Sequence, residues 1–499
     1  MTTDPEPLAS PNTSDGEPPS PSLTTRAVRG FLWSALSFGG SRLIIFVVTL
    51  FLTRLLAPQD FGVVAAGLTL ILFLEIALDL GLGAAVVYEQ EEGLSDRVRT
   101  AYALNLTIAA GLTLVGVFSA PVVAQFFHTP EAESLFRVLF LYLILRGAGQ
   151  VQIAVLQRDL RYRERTVIDI TRALARAALS LALAAGGAGP WAIVLGMLAG
   201  EVVGLLLSWY YVPLRPVLRW DRTVVHTLLG FGVAVLGVKI TSSLLSTGDD
   251  VVVGNRLGAE ALGFYNIAVR LPELAIASVY WVFTGVAFPA YAKARLEGPE
   301  VFRETMLRVL RLVTLFGFCA GAGLAVVTPI AVPVLFSAQW EPAVEASVLT
   351  SVALGLASIG FASGDIFPAV GRPGILLRLT LSMTLVALVG FWFSAPYGIA
   401  AVAAVNLVFQ VVFGLLRLRL ANRLVGSSWR QVAGAMWPAV IGSAGVVAAA
   451  LPVSLVVPHD LWGLIGTTAA GLLGGLVALA LGGRSALRDV TVLLRSSRS

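Results

Sequence analysis

The chain has 499 residues, of which 57% are hydrophobic and only 13% charged, with a formal net charge of +5 and a mean hydropathy of +0.84. A soluble domain averages about 25% charged residues, so this composition cannot build a water-facing surface. Apolar runs of 18 or more residues recur from residue 31 to residue 483. Each can cross ~30 Å of hydrocarbon, whereas the alternation of a membrane β-barrel does not recur.

In chain order, the first 25 residues hold four acids, no Lys or Arg, and many Pro, Ser and Thr. The basic start and apolar centre of a signal peptide are missing, and a disordered tail or docking segment is expected. Fourteen spans follow, at 31–53, 61–87, 100–123, 135–156, 168–186, 190–211, 227–247, 262–288, 304–327, 343–366, 374–394, 397–416, 433–451 and 461–483. Cytoplasmic loops collect Lys and Arg. With the N-terminus inside, 25 of the 35 basic residues fall in cytoplasmic segments, and the outside loops hold only Arg54, Arg137 and Arg256. An error of one crossing would invert that split in every later loop. Both termini are therefore expected in the cytoplasm, and the positive charge follows from topology, with no role for nucleic acid. Cys319 is the sole cysteine and lies in an apolar run. The three histidines, His128, His226 and His459, are scattered and lack metal-ligand spacing.

Two outside turns, the candidate hinges of the chain, echo one another: "RLLAPQDFG" at 54–62 and "RLGAEALGFY" at 256–265. Arg54 aligns with Arg256 and Gly62 with Gly263, with one gap, and Asp60 completes the first turn. The echo falls six spans later, an even number, so two six-span halves would insert in the same direction as a parallel repeat. Chance convergence of two short turns is the alternative. Spans thirteen and fourteen lie outside the repeat.

"TRLLAPQDFG" (53–62), "GDDVVVGNRLGAEALGFYNIAVRLPEL" (248–274) and the basic "LQRDLRYRERT" (156–166) together resemble polysaccharide-export flippases of the multidrug, oligosaccharidyl-lipid and polysaccharide exporter superfamily, in particular its Wzx-like branch. The likeness runs over about residues 26–420. It implies an all-α integral membrane protein of about 14 helices, with two six-helix lobes in a V-shaped, MATE-like arrangement plus two extra C-terminal helices. The expected division is a tail at 1–25, an N-lobe at 26–212, a C-lobe at 213–420, and the last two spans with a cytoplasmic C-terminus at 421–499. The function implied is non-enzymatic: alternating-access export of an undecaprenyl pyrophosphate-linked oligosaccharide across a bacterial cytoplasmic membrane. Membrane lipids and a polysaccharide polymerase or export machinery are the implied partners. A lipid II flippase and a cation-coupled multidrug antiporter are the rival functions. A membrane glycosyltransferase would need a sizeable aqueous loop with clustered acids, and the outside loops are short and nearly uncharged.

Charge at the bilayer centre costs about 2.5–3.5 kcal/mol on insertion scales, so such residues face a cavity or a partner. Arg42, Arg146, Lys239 and Arg270 lie near the midplane with Glu201 and Glu273, each roughly 12–18 Å into its span at ~1.5 Å per residue. Arg270 and Glu273 share a helix face at i, i+3, and Arg146 with Glu201 forms a second candidate staple. Arg42 and Lys239 have no local acid and ride on the first helix of each half, which suits a cationic seat for a pyrophosphate. Glu75 and Asp79, at i, i+4, are candidates for coupling transport to H+ or Na+. Pairing with hydroxyls or with Arg172 and Arg176 is their structural alternative. Pro272 interrupts span eight beside these charges and is a candidate bending point. No metal site and no bound cofactor is expected.

Overall fold

The computed structural model describes residues 23–78, 96–213, 243–244 and 247–483, and all regular structure among them is helical. The first half comprises α1 (Leu23–Leu55), α2 (Pro58–Leu78), α3 (Asp96–Phe126), α4 (Glu133–Leu139), α5 (Leu141–Arg158), α6 (Tyr162–Ala185) and α7 (Pro190–Tyr211). The second comprises α8 (247–257), α9 (Ala259–Pro272), α10 (Ser278–Glu297), α11 (Pro299–Phe336), α12 (Val344–Gly364), α13 (Ile366–Ala369), α14 (Pro373–Ser394) and α15 (Ile399–Val425). A hairpin of α16 (Trp429–Val456) and α17 (Leu461–Gly482) follows and leans on α11.

Eleven helical segments among the described residues are long and apolar enough to cross a membrane. Twelve of the fourteen expected spans fall on helices; the second, 61–87, does so as far as Leu78, beyond which it lies outside the described residues, as does most of the seventh, 227–247. α6 is not among the eleven because Asp169, Arg172 and Arg176 dilute its apolar character. It also begins six residues before the expected 168. Arg161–Glu164 at 3.1 Å and Arg165–Asp169 at 3.8 Å are i, i+3 and i, i+4 pairs that favour helix. The connection therefore shrinks to residues 159–161, and Arg165 belongs to a helix face.

The halves share a neighbour pattern. α3 packs on α5 and α6 on α7 in the first, while α11 packs on α12 and α14 on α15 in the second. The largest contact between the halves is α2 against α9. Pro272 closes α9, a π-helical turn spans Glu273–Ala277, and α10 starts at Ser278. Proline has no N–H to give the preceding turn, and the wider π turn absorbs the mismatch.

The gap in the echoed turns has a local cause. Leu56 and Ala57 join α1 to α2, where the Asp60 carboxylate accepts the Ala57 N–H at 2.9 Å and Pro58 opens the helix. The second turn reverses on one residue, Gly258, at φ 87°, a left-handed conformation that glycine adopts without a Cβ clash.

Candidate functional site

The echoed turns meet each other. α2 and α9 cross where a Cβ on Gly62 would overlap the carbonyl oxygen of Ala259, and one on Gly263 that of Pro58. Pro58 precedes Gly62 by four residues and Ala259 precedes Gly263 by four, so the crossing has local two-fold character. Trp340 is fully buried beside it, edge-on to Phe61 and Phe264 with centroids 5.2 and 5.9 Å away.

Helix ends leave orphan carbonyls, and here each half caps the other. Arg54 donates to Val334 O near the end of α11 at 3.0 Å, and Asn255 donates to Phe126 O at the end of α3 at 2.7 Å. The Trp340 indole N–H donates to Thr53 O at 2.8 Å, and the Gln339 amide donates to Thr53 O and Leu56 O. At the end that holds the candidate hinges, the two halves are thus closed on each other. The equivalence of Arg54 and Arg256 stops at sequence, because Arg256 stays in its own half, 4.0 Å over the ring of Trp392. Asn255 makes the crossing contact instead.

At mid-depth and toward the loop end, α1, α5, α6 and α7 of the first half enclose a cavity of about 510 Å³. Five arginines line it (Arg42, Arg146, Arg165, Arg172 and Arg176) against two acids, Asp169 and Glu201. Positions 165, 169, 172 and 176 repeat at intervals of four, three and four, so α6 turns one polar stripe into the cavity. Gly204 on α7 lets Arg172 lie flat, since a Cβ there would strike its guanidinium.

The charges form an alternating chain. Arg165 faces Asp169 at 3.8 Å, and Asp169 faces Arg172 at 3.7 Å. Arg172 faces Glu201 at 3.6 Å, Glu201 faces Arg146 at 3.8 Å, and Arg146 donates to Glu75 at 3.3 Å. Ser37 of α1 donates to Asp169 at 2.6 Å. Arg176 makes no hydrogen bond or ion pair among the described residues; Arg270 of the other half, Tyr142 and Glu201 are close enough to act on it electrostatically.

The structure thus gathers Arg42, Arg146 and Glu201 around one cavity and adds Glu75 through Arg146. Arg42 also crosses between halves, donating to Ser278 Oγ at 2.9 Å, just after the π turn. Arg270 and Glu273 pair at 3.9 Å. Lys239 and Asp79 lie outside the described residues. Arg172 and Arg176, expected only as alternative partners for Glu75 and Asp79, line this cavity. Their i, i+4 spacing within an apolar span was the available signal. A second buried polar group, in the other half, also escaped attention. Asp249 accepts from Tyr265 Oη at 2.7 Å and from Asn406 at 3.4 Å, and the paired acids of "GDD" inside an apolar stretch were its signal.

Residues 51–345, more than half of the chain, match the model of a family described as polysaccharide biosynthesis protein. The chain belongs to that family. The succinoglycan biosynthesis transport protein ExoT of Rhizobium meliloti is 27% identical over 507 residues, covering 96% of this chain and 98% of the relative. The teichuronic acid biosynthesis protein TuaB of Bacillus subtilis is 26% identical, covering 77% and 82%. Among solved structures, the lipid II flippase MurJ in an inward closed conformation superposes with a TM-score of 0.71 at 13% identity, over 90% of this chain and 98% of that one. An inward-facing multidrug resistance MATE family transporter superposes at 0.64 with 16% identity, covering 80% and 98%. At these identities the likeness concerns the fold, which is all-α, membrane-embedded and MATE-like.

Proposed function

We propose that the protein is a flippase that carries a lipid-linked oligosaccharide across the bacterial cytoplasmic membrane by alternating access, without covalent chemistry. The observation that carries this reading is the arginine-rich cavity beneath a closed hinge end. A cargo anchored on undecaprenyl pyrophosphate presents adjacent phosphates, and guanidinium groups bind such oxygens in bidentate fashion. Arg42, Arg146, Arg172 and Arg176 would hold the pyrophosphate, with Arg270 approaching from the other half. A lipid II-type cargo has the same chemistry at this position, so the sugar is what separates the two. A cationic drug is disfavoured by the excess of arginine over acid. The experiment that tests the reading is transport of defined lipid-linked oligosaccharides by the purified chain in proteoliposomes. Transport of neutral or cationic compounds in place of the pyrophosphate-linked sugar would sink it.

The hinge end faces outward in this reading, and the connection at 159–161 and both termini face the cytoplasm, as the arginine distribution favours. Gln59 at the start of α2, Glu297 at the end of α10 and His459 between α16 and α17 are exposed. In a Cys319→Ser background, single cysteines at Gln59 and His459 should react with an impermeant maleimide on intact cells, and one at Glu297 should react only after permeabilisation. Labelling of Glu297 on intact cells would refute the topology.

Coupling to H+ or Na+ is assigned to Glu75, on the grounds that its carboxylate meets the chamber through Arg146. Glu75→Gln should abolish gradient-driven transport in proteoliposomes while cargo still binds. Normal transport across imposed pH and Na+ gradients would make the carboxylate structural.

A further inference from the structure

Glu201 differs from the other acids of the chamber. It is 6% exposed and stands between two arginines from different helices, with Arg146 on α5 at 3.8 Å and Arg172 on α6 at 3.6 Å. Charge-assisted N–H···O bonds run to about 2.7–2.9 Å, so both contacts are attraction without a hydrogen bond. The Arg172 Nε is buried and has no hydrogen-bond acceptor, an arrangement that is unfavourable for a charged donor. By contrast, Glu75 accepts from Arg146 at 3.3 Å and Asp169 accepts from Ser37 at 2.6 Å. Glu75 and Asp169 each serve one of these arginines, whereas Glu201 bridges both and leaves the Arg172 Nε donor unused.

We propose that Glu201 is an internal stand-in for a cargo phosphate and sets the selectivity of the chamber. In the empty protein its carboxylate keeps two guanidiniums together in a site of low dielectric, where they would otherwise repel. An arriving phosphate oxygen takes its place and supplies the hydrogen bonds that the carboxylate does not make. Because every ligand must displace a resident negative charge, only one richer in charge and oxygens than a carboxylate gains from the exchange. A pyrophosphate meets that condition. The single-charge phosphodiester of a bilayer head group does not, although such head groups surround the protein in large excess. Glu201 therefore weakens anion binding in general and leaves the site selective for pyrophosphate. The inference rests on the pyrophosphate reading given above.

The test is titration of inorganic pyrophosphate into the purified full-length chain in nanodiscs of phosphatidylcholine, repeated in nanodiscs containing phosphatidylglycerol. Wild-type protein should bind equally in both. Glu201→Gln removes the competing charge and should tighten binding about tenfold in phosphatidylcholine, and lose that gain where phosphatidylglycerol can enter. Glu201→Asp keeps the charge on a shorter arm and should lie between the two, which covers the case in which Glu201→Gln does not fold. An affinity in Glu201→Gln no tighter than wild type, or in Glu201→Asp weaker than wild type, overturns the stand-in role, since a merely structural carboxylate would give that result. Arg172→Gln separates the two levels of the argument. If it weakens binding while Glu201→Gln fails to tighten it, the pyrophosphate site stands and the stand-in falls. If Arg172→Gln binds as wild type does, the pyrophosphate reading falls and takes the inference with it.

Discussion

Gly62→Leu and Gly263→Leu are each expected to abolish export while leaving the protein in the membrane at its normal level. The atoms that a new side chain would strike are the main-chain carbonyls of Ala259 and Pro58, which cannot swing aside as a flexible side chain can. α2 and α9 would have to separate. Overpacking of a tight contact costs about 1–3 kcal/mol or more, and here the penalty falls only on the state in which the hinge end is closed. A difference of about 1.4 kcal/mol between two states already shifts their ratio tenfold. The protein would rest with its hinge end open. Asn255 donates to Phe126 O across the closed end at 2.7 Å, so cysteines at these positions should cross-link in the parent and fail to do so in either variant. Because both glycines serve one crossing, the double substitution should be no worse than either single one. Export at the normal rate in Gly62→Leu would remove the crossing from the transport cycle.

Arg176→Ala is expected to lower affinity for a lipid pyrophosphate by roughly tenfold to a hundredfold, the loss of a charge-assisted contact worth about 1.5–3 kcal/mol. The fold should be unaffected, because Arg176 makes no hydrogen bond or ion pair among the described residues. Arg172→Ala should differ in kind, since Arg172 faces both Asp169 and Glu201 and its removal leaves a buried carboxylate short of a partner. Binding and thermal stability measured side by side distinguish the two arginines. An Arg176→Ala protein with unchanged affinity and a lowered melting temperature would make Arg176 a packing residue.

Local signals were legible in the sequence and long-range ones were not. Proline, aspartate and glycine marked both echoed turns, because their effects act over three or four residues. That the turns would touch was not legible, since contact between Gly62 and Gly263 depends on how two distant helices cross. Depth along a helix found Arg42, Arg146 and Glu201. The same arithmetic does not reach the α6 stripe, because span ends set by apolarity leave Arg165 in the loop, and Arg172 and Arg176 enter only as alternative partners for Glu75 and Asp79. A charged residue near a helix start is read as loop whenever helix ends are placed by apolarity alone. The ion pairs that extend α6 back to Tyr162 place it otherwise.

Among the described residues, the side-chain donors to the carbonyls of Thr53, Leu56, Phe126 and Val334 come from the opposite half. Parting the halves at this end therefore strips several main-chain acceptors at once, and bulk solvent must replace the lost donors. In the alternating-access cycle proposed above, opening would then be a wetting transition as well as a movement of the halves. Its equilibrium accordingly carries a dependence on water activity that the arginine chamber at mid-depth does not impose.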